Sequence, residues 1–72
     1  MNESRASPEF KRALEAYDRG VAEGRRDTSP GGVLRGVLQA AADSNYPLGG
    51  LLRTLFEDGY SLVVLPYLQR GQ

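Results

Sequence analysis

The chain has 72 residues, a formal net charge of zero from nine acidic and nine basic side chains, and neither Cys nor His. A domain of this size buries only about 60% of the surface its unfolded chain exposes. Without Cys and His there are no disulfides, no thiolate chemistry, no ordinary zinc site and no imidazole base, so regular packing or a second chain must supply the stability.

Residues 1–6 are polar and lack periodicity, and they read as a flexible N-terminus ahead of a single small helical domain over 7–72. Ser7-Pro8-Glu9 then supplies a cap hydroxyl, a Pro at the first helical position and an acid in the first turn. The predicted helix runs over about 8–25. Phe10, Leu14, Tyr17 and Val21 form its packing stripe, and Lys11, Glu15, Arg19 and Glu23 form an adjacent ridge of alternating sign. Gly20 and Gly24 weaken the last turns, so the helix is expected to stop between Gly24 and Asp27. The segment Tyr17-Asp18-Arg19-Gly20 with Gly24 resembles a short part of the ribosome modulation factor family. That family's strongly basic character is missing here.

Ser29-Pro30 repeats the cap-then-Pro signal before a second predicted helix over 30–43. Val33, Leu34, Val37, Leu38, Ala40, Ala41 and Ala42 cover most of its circumference, so this helix is expected to be central. Gly32, Gly36 and Ala40 lie four apart, as do Gly20 and Gly24, and each series offers a strip where another backbone comes close. Asp43-Ser44-Asn45 breaks the helix. Tyr46-Pro47 opens a third, over 47–58, with Leu48, Leu51, Leu52, Leu55 and Phe56 on one stripe and Gly59 as its C-terminal cap. An internal echo aligns Gly31 to Leu38 with Gly49 to Phe56, placing Arg35 and Arg53 in equivalent positions. It reads either as a duplicated helical unit or as two amphipathic helices built from common residues.

Beyond Gly59, Leu62-Val63-Val64-Leu65 is a short apolar run followed by Pro66, which lacks a backbone donor. Residues 61–68 are therefore expected to be an extended segment, or a short fourth helix kinked at Pro66. The whole reads as a mostly α, compact three-helix bundle with an apolar C-terminal segment.

That segment carries more apolar side chain than three short helices bury, and exposed apolar patches of this kind mark interfaces. The leading expectation is a protein-interaction factor that inhibits or regulates a larger bacterial or phage-encountered machine by occupying its surface, and that also pairs with its own copy as a homodimer. Its candidate contacts are Tyr46, Leu48, Tyr60, Val64 and Tyr67, with Arg35 and Arg53 as polar anchors. One alternative is a dimeric helix-turn-helix regulator running from Leu38 through Asn45 to Leu55, with Arg53 as its base reader. Balanced charge argues against that, and Asp27 likewise offsets Arg25 and Arg26 as a phosphate site. A second alternative has the tail sealing a lone core. No catalytic residue, cofactor or metal is expected. With no apolar run near the roughly 18 residues of a membrane span and no signal-like stretch after Arg5, a cytoplasmic location is expected.

Overall fold

The computed structural model describes residues 8–70, so the expectations for the polar terminus over 1–6 and for the Ser7 cap lie outside the described residues. The described residues form three helices: α1 (Pro8–Thr28), α2 (Val37–Asp43) and α3 (Leu51–Arg70). No strand occurs among the described residues.

α1 and α3 lie side by side and run in the same direction. Gly20 meets Phe56 and Tyr60, Gly24 meets Tyr60 and Val63, and Gly59 meets Tyr17 and Val21. At the crossing the two backbones touch. A Cβ on Gly20 would collide with the Phe56 carbonyl oxygen, and one on Gly59 with the Tyr17 carbonyl oxygen. The expected close-approach strip on helix 1 is therefore real, and its occupant is α3. Gly20 and Gly24 do not end the helix because both are buried beneath that neighbour, and α1 continues to Thr28.

The same contact corrects the expected packing stripe. The buried line of α1 is Ala16, Gly20, Gly24 and Asp27, whereas Phe10 and Leu14 remain 55% and 49% exposed. Small residues win the interface because only they let the helix axes approach.

The expected helix over 30–43 is shorter, starting at Val37. Gly31 and Gly36 have φ of 83° and 94°, which a right-handed helix cannot accommodate. Instead Ser29-Pro30 enters a turn closed by the Gly32 amide donating to the Ser29 carbonyl at 2.8 Å, with Gly31 at the place type II turns reserve for glycine. Gly49 repeats that φ after Pro47, so the echo between the two segments extends to their turns. It ends there, because a helix follows at once only in the second copy.

The expected break at Asp43-Ser44-Asn45 is present and has a definite geometry. Asn45 adopts φ 67°, its amide donates to the Ala42 carbonyl, and the Tyr46 amide donates to the Ala41 carbonyl, each at 3.0 Å. This pair of bonds is a Schellman motif. α2 is thus a short cap, not a central helix. It contributes Ala40 and Ala41 to a core with Phe56, Tyr60 and Val64, flanked by Val37 and Tyr46, while Leu38 stays 66% exposed.

The expected end of helix 3 at Gly59, and the extended or separate segment over 61–68, are both overturned. α3 is one helix of 20 residues, with Pro66 inside it. Gly59 is a contact residue for α1, not a cap. Pro66 is exposed, so water can reach the Leu62 carbonyl that lacks its usual i+4 donor.

Candidate interaction surface

A polar cluster fixes the covered side of the helix pair. The Asp27 side chain, buried near the end of α1, accepts bonds from the Arg35 guanidinium at 2.9–3.2 Å, from the Arg35 amide at 3.3 Å and from the Tyr60 hydroxyl at 2.6 Å. Tyr60 in turn accepts the Gly36 amide at 3.1 Å. Arg35 also donates to Glu23 and to Asp43, and Gln39 donates to Asp43 at 2.8 Å. One guanidinium therefore joins α1, the connection and α2, while Tyr60 adds α3.

Burial pushes the Asp27 carboxyl up, but the bonds donated by Arg35 and Tyr60 outweigh it and hold the group below the usual carboxylate range. Asp43 is lowered too, by the Gln39 amide and then by Arg35. Burial, with the bond donated to Asp27, pushes the Tyr60 phenol up to about 12. Bonds to Asp27 and Glu23 raise Arg35. Every one of these shifts favours the protonation state that the cluster uses at neutral pH.

The seven sequence-chosen contact residues separate sharply. Tyr60, Val64 and Arg53 are 1%, 5% and 6% exposed, so a partner cannot reach them without opening the fold. Arg53 donates to Glu57 at 2.6 Å and to the Tyr46 carbonyl at 3.1 Å, which leaves it a structural cation and a poor reader of base edges. Arg35 belongs to the polar cluster. Tyr46 is half-buried against Phe56, their ring centroids 5.2 Å apart. Only Leu48 and Tyr67, at 81% and 42%, present large exposed surfaces. Leu48 sits in the turn before α3, close to an apolar-walled hollow of about 380 Å³ between Arg12, Tyr46, Pro47, Leu51 and Leu52.

The larger exposed apolar surface lies elsewhere. α2 and the connection cover one side of the α1–α3 pair, through Glu23 and Asp27 on α1 and Tyr60 and Val64 on α3. On the opposite side, helical geometry aligns Leu14, Tyr17 and Val21 of α1 with Leu51, Leu55 and Leu62 of α3. Leu14, Leu51 and Leu62 are 49%, 70% and 59% exposed, and Tyr17, Val21 and Leu55 are half-buried. The remaining helix, α2, packs on the other side, so no helix among the described residues covers this face. The sequence carried the signal in the Phe10-Leu14-Tyr17-Val21 stripe. Leu14, Tyr17 and Val21 of that stripe lie on the open side of the pair.

Among the described residues no group of three or more His, Cys, Asp or Glu is placed to hold a metal ion, and no helix is long and apolar enough to cross a membrane. No family model, no curated protein and no solved structure matches this chain.

Proposed function

We propose that this chain is a small protein-interaction factor that acts by occupying a surface of a larger protein as an inhibitor or regulator. The observation that supports the reading is the open apolar face of the α1–α3 pair. A chain this small gains stability by burying apolar side chain, yet Leu14, Leu51 and Leu62 stay half or more exposed on one continuous side. On α1 the buried apolar positions go to Ala16, Gly20 and Gly24, which leaves its larger aliphatic groups on the other side of the helix.

The test is capture of partners by the immobilised full chain from bacterial lysate, comparing wild type with Leu14→Asp and Leu62→Asp. Both substitutions fall at exposed positions, so helicity by circular dichroism should be unchanged while partner capture is lost. Val64→Asp serves as the contrasting variant. Val64 is buried in the core, and the variant should unfold. Capture that survives both surface variants would remove the open face from the reading.

A further inference from the structure

We infer that the occupant of the open α1–α3 face is a second copy of this chain, laid antiparallel on the first to close a four-helix, two-fold dimer. The inference rests on the interaction reading above and deepens it by naming an occupant and an orientation.

The residue pattern of the two helices favours a copy. Leu14, Tyr17 and Val21 follow one another at spacings of three and four, and so do Leu51, Leu55, Leu62 and Leu65 if Asp58 is counted in the series. These are the seam positions of helices that pack on other helices at a shallow angle. Within one copy, each helix spends a different line on its neighbour: Ala16, Gly20 and Gly24 on α1, and Phe56, Gly59 and Val63 on α3. Two seams of matching type lie side by side, with Leu14, Leu51, Leu62 and Leu65 exposed, and suit a partner that presents the same two seams.

Charge on the face bears on the orientation. Asp18 and Arg25 lie two turns apart on the outer edge of this face, are exposed, and have no ion pair or side-chain hydrogen bond among the described residues. A two-fold axis crossing the face between them stacks α1 on α1 in opposite directions. Asp18 of each copy then lies beside Arg25 of the other, and the pair forms twice because an isologous interface repeats every contact. The competing parallel arrangement stacks α1 of one copy on α3 of the other. It brings Asp18 close to Asp58 twice, since Gly20 and Asp58 share a level in the helix pair, and like charges there oppose association. The antiparallel form brings Asp58 near its own copy once, across the axis, and sets two Asp18–Arg25 pairs against that contact, so charge favours it.

The area of the face bears on the occupant as well. A helix the length of α1 spans about 31 Å, and two helices side by side are about 20 Å wide, so the face has a footprint of roughly 600 Å² before side-chain relief is counted. Stable interfaces bury about 800 Å² of accessible surface per partner. The footprint is of the same order.

The test is light scattering coupled to size-exclusion chromatography on the full chain, with sedimentation equilibrium to obtain the dissociation constant. The wild type should show twice the 7.9 kDa chain mass. Leu62→Asp should be monomeric with unchanged helicity. Asp18→Arg and Arg25→Asp should each weaken the dimer about tenfold, because each turns two attractive pairs into two repulsive ones, and the double variant should restore it. A wild type that stays monomeric at near-millimolar concentration overturns the proposal, as does a dimer that survives Leu62→Asp. Failure of the double variant to restore affinity overturns the antiparallel arrangement. A monomer that still captures another protein through Leu14 and Leu62 overturns the dimer while leaving the interaction reading intact. A dimer with no other partner supports the inference and limits the interaction reading to self-association.

Discussion

Tyr60 donates its hydroxyl proton to the buried carboxylate of Asp27 at 2.6 Å, across 33 positions of sequence. The same hydroxyl accepts the Gly36 amide, so one oxygen ties α3 to α1 and to the connection at once. Tyr60→Phe keeps the ring in the core but strips Asp27 of a donor and leaves the Gly36 amide without its acceptor. The expected cost is about 1–3 kcal/mol, read as a lower urea midpoint with an unchanged slope. Arg35→Met removes the counter-charge from Asp27 and should cost about 3 kcal/mol or more. The two losses should be non-additive, because both act on one carboxylate.

The cluster also sets a stability plateau in pH. The Asp27 carboxyl is depressed in the folded state, so its contribution is complete above the unfolded carboxylate value of about 4 and is lost as pH falls through the lower folded value. The Tyr60 phenol is raised to about 12, so its contribution is complete below the unfolded value and is lost as pH rises from there through about 12. The urea midpoint should be nearly flat between these limits and fall at both ends. In Tyr60→Phe the alkaline fall should shrink, and a fall of undiminished size would show that other groups cause it.

Substituting Ala for Gly in a helix ordinarily stabilises it by about 1 kcal/mol. At Gly20 the sign should reverse, since the new methyl would meet the Phe56 carbonyl and force the helices apart, an overpacking cost of about 1–3 kcal/mol or more. Gly59→Ala should behave alike, against the Tyr17 carbonyl. Gly50→Ala is the control. Its Cβ would sit an ordinary 3.6 Å from the Pro47 carbonyl, so thermal melts should show little change.

Pro66 is exposed and lies within α3. Pro66→Ala restores a donor to the Leu62 carbonyl and relieves the ring's clash with the preceding turn, at the cost of a looser unfolded chain. The net expectation is a gain of about 1–2 kcal/mol, together with slower amide exchange in the last turns of α3.

The places where sequence reading held and failed have separate physical causes. Pro8 at the start of α1 and the break at Asn45 were legible because they depend on local backbone chemistry. The Gly20 and Gly24 strip was legible as a place of close approach, but not its occupant, which is set by long-range pairing. Ser29-Pro30 misled because a cap-then-Pro signal also begins a turn, and the choice fell to Gly31 and Gly36 at positive φ and to Arg35 held by Asp27. Gly59 and Pro66 together imitated a helix end. What keeps the helix going is the pairing of Gly59 with Tyr17 and the burial of Tyr60 and Val64, which no window around residue 60 contains. Of the contact residues chosen from the sequence, Tyr60 and Val64 went inside while Tyr67 stayed exposed, because hydrophobicity alone does not say which side of a helix faces its neighbour.

The shared direction of α1 and α3 has a consequence for how the chain reaches this state. Helices that double back can zip from the turn joining them, but this pair has no such turn. Gly20 finds Phe56 and Tyr60 only after a loop of roughly 40 residues has closed, and the entropy of that closure is spent before any backbone contact repays it. Folding should accordingly be slower than for a doubled-back pair of equal length, with the rate-limiting step sensitive to Gly20 and Gly59.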